Sequence, residues 1–127
     1  EMNKEIILSA ILLIFIFTAN YFTRNYTQKS IEEVTQKLES LKTEMLEKGE
    51  QTGEKYDELE KIWLEKYEVL AYYIEHDELE KVSSELFQLK GSIQTDQVDE
   101  GIPTIENCKF ILDHIKDKDK FEIKNIF

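Results

Sequence analysis

IILSAILLIFIFTANYF, residues 6–22, carries no charged side chain, and everything behind it is polar and strongly acidic. As a helix this run extends about 25 Å, a little short of a roughly 30 Å hydrocarbon core but within the range of real spans. The run therefore divides the chain into a membrane anchor and a water-facing part. Ile6, Leu12, Phe15, Phe17, Tyr21 and Phe22 are the expected lipid-facing anchor residues. Lys4 and Arg24 can snorkel to the two interfaces, and Tyr21, Phe22 and Tyr26 make an interfacial aromatic cluster at the far end.

A cleaved signal peptide would share the short Met2-Asn3-Lys4 start and the apolar core. The exit from the run argues otherwise. Thr18-Ala19-Asn20-Tyr21-Phe22 has one small residue at a plausible cleavage point, with bulky Phe17 two positions before it, so the small-x-small pattern is missing. A pilin-type leader fits no better, because the residues ahead of the run are polar. Met2 is the expected start, with Glu1 an upstream remnant. Basic residues barely discriminate the two orientations: Lys4 precedes the run, and Arg24 and Lys29 follow it. A short tail before one span favours a signal-anchor, with the N-terminus cytoplasmic and the C-terminal domain outside the cytoplasm.

The whole chain has a net charge of −11; residues 1–29 contribute +1, which leaves −12 for residues 30–127. A domain of that sign repels phosphate backbones and excludes nucleic acid as a partner. Acidity of this kind first serves solubility, and only second a cation or a basic partner surface. Cys108 is the single cysteine, so no internal disulfide staples the domain. Its apolar neighbours at helical spacing mark it as a small buried hydrophobe.

Behind the anchor, Ile31, Val34, Leu38, Leu41 and Met45 recur at steps of three and four, the seam of an amphipathic helix. Residues 23–48 are expected to continue the span as a stalk. Gly49 and Gly53 end the pattern after about two heptads, too soon for a self-standing coiled coil. Tyr56, Leu59, Ile62, Trp63, Leu70, Tyr73 and Ile74 form the stripe of a second helix. Asp77 with Glu80 has capping-box spacing, which starts a third helix bearing Leu79, Val82, Leu86, Leu89 and Ile93. Asp96 is the expected cap of a fourth, with Val98, Ile102, Ile105, Cys108, Leu112 and Ile115 inward. Pro103 either kinks that helix or sits in its first turn. The fold class is all-α: a tail at 1–5, a span at 6–22, a stalk at 23–48, and an acidic antiparallel helical bundle at 49–127.

The residues that might carry chemistry mostly have structural explanations. His76 and Glu80 would share a helix face and could reach an ion, but with Asp77 as a cap His76 lies outside the helix. Capping needs no unseen ligands, and it is the preferred reading. His114 suits the negative pole at the end of the last helix. Trp63, Leu70 and Ile74 belong to the core stripe; Tyr67 and Tyr72 fall partly off it and are candidates for contact with a partner. No phosphate loop, nucleophile elbow, paired-cysteine or zinc-protease motif occurs. No catalytic residue, cofactor or metal is assigned, and the expectation is that the protein is not an enzyme.

Three segments, LAYYIEHDELE at 70–80, FILDHI at 110–115 and KNIF at 124–127, resemble a family of small bacterial proteins of unknown function. Its members occur in Gram-positive spore-formers and have one N-terminal span and a helical domain. Gly101 and Pro103 depart from that family's pattern in the last helix. The resemblance implies an accessory role at a membrane, beside a multi-pass membrane protein.

The expected function is thus that of a membrane-anchored accessory protein with two contacts. The anchor offers small and polar points, of which Asn20 can hydrogen-bond across helices. The bundle adds Tyr67, Tyr72 and His76 together with the apolar tail residues Phe121, Ile123, Ile126 and Phe127. The lipid bilayer and an integral membrane protein are the expected partners, with self-association possible. Two other classes share the layout: an extracytoplasmic bundle that senses a ligand or cation, and a structural coiled-coil scaffold.

Overall fold

The computed structural model describes residues 2–126, and side chains from Asn3 to Asp119. Four helices follow one another: α1 (Met2–Leu46), α2 (Thr52–Leu70), α3 (His76–Gln94) and α4 (Val98–Ile126). The described residues form no strand. Each helix packs against its two neighbours in a closed ring, α1–α2–α3–α4–α1, and the diagonal pairs stay apart. Ion pairs give the direction. Lys37 meets Glu58 and Glu33 meets Lys66, while Lys42 meets Glu106 and Glu32 meets Lys116, so α2 and α4 both run antiparallel to α1.

Helix α1 is continuous because nothing from Met2 to Leu46 breaks it; the segment has neither glycine nor proline. Its two halves live in different surroundings. Every residue from Asn3 to Ala19 is exposed, whereas Ile31, Val34, Leu38, Leu41 and Met45 are buried. The expected stalk over 23–48 therefore does not stand free: it is the first helix of the bundle. An isolated amphipathic stalk and a bundle helix have the same seam, and the apolar stripes of α2 and α4 fill it here. Tyr56, Leu59, Trp63 and Leu70 of α2 join Leu79, Val82, Leu86 and Leu89 of α3 and Ile105, Cys108, Leu112 and Ile115 of α4 in one core. Burial of Leu-sized side chains at roughly 1.5–3 kcal/mol each is the main source of its stability.

Two of the three turns are built alike. After α1 the N–H of Gly49 reaches the carbonyl of Glu44 (2.9 Å) and that of Lys48 reaches Met45 (3.2 Å). After α3, Gln97 reaches Ser92 (2.8 Å) and Asp96 reaches Ile93 (3.2 Å). Both are Schellman motifs, with Lys48 (φ 54°) and Asp96 (φ 57°) in the left-handed position usually given to glycine. Asp96 thus closes α3 and does not cap α4. The Glu44 carboxylate accepts the N–H of Gln51 (3.0 Å), joining the end of α1 to the start of α2.

The α2–α3 turn differs from expectation. Helix α2 ends at Leu70, and Tyr73 and Ile74, read as its last stripe residues, belong to the turn. Helix α3 begins at His76 with Glu75 at its cap position and no side-chain cap bond, so Asp77 lies inside the first turn. There Asp77 and Glu78 face the positive pole of the helix, which supplies a charge interaction where a capping bond was expected. Helix α4 begins at Val98, ahead of Pro103, and continues through it. His114 lies well inside α4, twelve residues before its end, so its expected place at the negative pole is not realised.

Candidate interaction surfaces

The first surface is the apolar run of α1, a helix long and apolar enough to cross a membrane. Ile6, Leu12, Phe15, Phe17, Tyr21 and Phe22 are all exposed, as is the rest of the apolar run apart from Asn20. Apolar exposure on this scale, continuous around a helix, is stable only when lipid or protein covers it. Tyr21 and Phe22 meet edge to face, with ring centroids 5.8 Å apart. Tyr26, grouped with them by sequence, belongs to the bundle: it packs on the core, and the Lys66 ammonium sits 5.4 Å from its ring centre. Asn20 is partly covered, and its carbonyl accepts the hydroxyl of Thr23 (3.1 Å).

The second lies where the bundle meets the apolar run. The Tyr73 hydroxyl is 2.8 Å from Thr27 Oγ1 and donates to the Thr23 carbonyl (3.2 Å), which ties the α2–α3 turn to α1. Thr27 and Ser30 are buried, and Ser30 Oγ has no hydrogen-bond partner. Burial raises the Tyr73 hydroxyl pKa above its ordinary value, against the lowering effect of the bond to Thr27. Beside this turn Tyr72 is 90% exposed, an unusual place for so large a ring.

Tyr67, His76 and Glu80 do come together. The Tyr67 hydroxyl donates to Glu80 Oε1 (2.6 Å) and lies 3.3 Å from His76 Nδ1, while His76 Nε2 is 3.6 Å from Glu80. The Glu80 bond is the main reason that the Tyr67 pKa is raised. His76 is the first residue of α3, so the shared face with Glu80 that capping by Asp77 would have prevented is present. Among the described residues no group of three His, Cys, Asp or Glu is arranged to hold a metal. The trio is a polar clasp between α2 and α3.

Sequence reading missed five exposed apolar side chains as surface features: Leu46, Leu64, Val69, Phe87 and Phe110. The signal was there. Phe87 directly follows core residue Leu86, and Phe110 falls between Cys108 and Leu112, so both lie off the buried rhythm. At the opposite end of the bundle, a wide cleft of about 920 Å³ lies between the α1–α2 and α3–α4 turns, lined by residues such as Lys48, Thr52 and Asp99. Charged contacts elsewhere are surface ion pairs. The Lys42 ammonium, 2.7 Å away, holds the Glu106 carboxyl below its usual range, and Lys109 bridges Glu39 and Glu106. The side chains of Phe121, Ile123 and Ile126, and all of Phe127, lie outside the described residues.

Comparison with known proteins places the chain in a family. Residues 21–126 match the family described as "Domain of unknown function (DUF4363)", and the chain belongs to it. The matched region covers the bundle and begins at the last residues of the apolar run. No curated protein and no solved structure matches the chain.

Proposed function

We propose that this DUF4363 protein is a non-enzymatic accessory subunit: α1 crosses a membrane, and its bundle binds a multi-pass membrane protein. The observation that carries the reading is the division of one unbroken helix. Residues 3–19 of α1 are wholly exposed and apolar enough for a span, while residues 31–45 form the core of the bundle. A helix of that kind couples a bilayer-embedded contact to one outside the bilayer. In the proposed orientation the bundle lies outside the cytoplasm.

The test is purification of tagged full-length protein from native membranes in mild detergent, with mass spectrometry of what accompanies it. A stoichiometric multi-pass protein is expected. Recovery of the protein alone, or of self-associated copies only, would reject the accessory-subunit reading. The tail has its own test: Phe121, Ile123, Ile126 and Phe127 changed together to Ser are expected to reduce recovery of the partner, and undiminished recovery would remove the tail from the contact.

A further inference from the structure

We infer that the anchor-proximal end of the bundle rests on the bilayer itself, with Tyr72 in the headgroup layer as a second point of attachment. This deepens the proposed function and rests on α1 being a true span.

The argument is one of height along α1. The Tyr73 hydroxyl is bonded to Thr27 and to the Thr23 carbonyl, so the α2–α3 turn is fixed at the level of residues 23–27. From Phe22, the last residue of the apolar run, to Thr27 is about 7.5 Å at 1.5 Å per helical residue. The headgroup region of one leaflet is about 5–8 Å deep, half the difference between the full bilayer and its hydrocarbon core. The turn therefore arrives at the outer edge of that layer. Tyr72 stands on this turn with 90% of its surface exposed. A tyrosine ring is most at home where its body meets acyl chains and its hydroxyl meets water.

Helix α4 comes down to the same level. The Gln28 amide donates to the Lys116 carbonyl (3.4 Å), and α4 continues from there to Ile126. Those last residues read KFEIKNI, in which Phe121, Ile123 and Ile126 are interspersed with Lys120, Glu122, Lys124 and Asn125, a mixed composition suited to an interface.

Charge does not forbid the contact. An acidic domain would be repelled by anionic lipid, but three carboxylates near this end are paired. Glu75 meets Lys118 at 3.4 Å, Glu33 meets Lys66 at 3.1 Å and Glu32 meets Lys116 at 3.7 Å. These pairs lie around the exposed ring of Tyr72.

The experiment uses full-length protein in phosphatidylcholine vesicles containing lipid with a nitroxide on the headgroup. Single labelling sites are made in a Cys108→Ala background: Leu12→Cys in the span, Tyr72→Cys at the turn, Gln97→Cys at the opposite end of the bundle. Each carries an environment-sensitive fluorophore. The expected result is a blue shift and strong headgroup-nitroxide quenching at position 72, with neither at 97. At position 12, quenching is expected instead from a nitroxide placed deep on the acyl chain. A water-exposed, unquenched label at 72 with a deeply quenched label at 12 would overturn the inference while leaving the span intact. An unquenched label at 12 would reject the span, and with it both readings.

Discussion

Cys108 shows how a single side chain reports on the core. Burial pushes its thiol pKa up to about 12, so it stays protonated and shielded across the physiological range. In the folded protein it is expected to resist iodoacetamide at pH 8 and to react at once in denaturant; prompt native-state alkylation would contradict its burial. The pH sign follows. An acid group whose folded pKa is raised favours folding fully below its unfolded pKa, near 9, and that contribution is lost as pH rises toward about 12. Burial shifts Tyr56 upward as well, with its bond to Glu60 next in weight, so the two act in the same direction. Thermal unfolding followed by circular dichroism is expected to show a falling midpoint above about pH 9. Two glycines make a contrasting pair. A side chain on Gly101 would meet Met45 Cε at 2.6 Å, while one on Gly91 meets nothing within 4 Å. Gly101→Leu is expected to destabilise by about 1–3 kcal/mol through overpacking. Gly91→Ala should stabilise by about 1 kcal/mol through helix propensity. Urea midpoints in mild detergent check both.

The helices are built from patterns that a reader of the chain can see, and their ends are not. Every buried aliphatic of α1, α3 and α4 lay on its expected seam, because burial along a helix repeats with the turn of the helix and few other arrangements produce that repeat. The α2 boundary was illegible for a related reason: Tyr73 and Ile74 continue the apolar rhythm past Leu70, yet they pack from the turn. Only the reach of Tyr73 to Thr27, a contact distant in sequence, shows why the chain reverses there. The tyrosine–histidine–glutamate clasp was half legible, as a pair on one face, since Tyr67 comes from another helix. The left-handed residues escaped as well. Glycine beside Lys48 drew attention to Gly49, while the strained conformation falls one position earlier. This yields an element-level prediction. Lys48→Gly is expected to stabilise by about 1 kcal/mol by relieving the left-handed cost. Asp96→Gly should gain less, because Asp tolerates that conformation better. Equal or reversed gains in chemical denaturation would speak against the Schellman assignment.

At the scale of the whole molecule, the unbroken α1 makes the anchor and the bundle a single lever. No hinge lies between Phe22 and Ile31, so the bundle cannot swivel while the anchor stays seated. If the apolar run is a span, as proposed, whichever side of it is gripped within the bilayer would fix the compass bearing of Leu64, Phe87 and Phe110 outside it. Adding residues between Arg24 and Asn25 would test this directly. One extra alanine turns the two parts by about 100°, whereas seven return them to within about 20° and lift the bundle by roughly 10 Å. Partner recovery that depends on bearing should fall with one alanine and recover with seven; recovery that depends on height should fall most with seven. If the apolar run spans a membrane, as proposed, rotation or tilt imposed on it would be carried along α1 into the bundle, and the molecule would act as a pointer whose direction is set inside the membrane and read outside it.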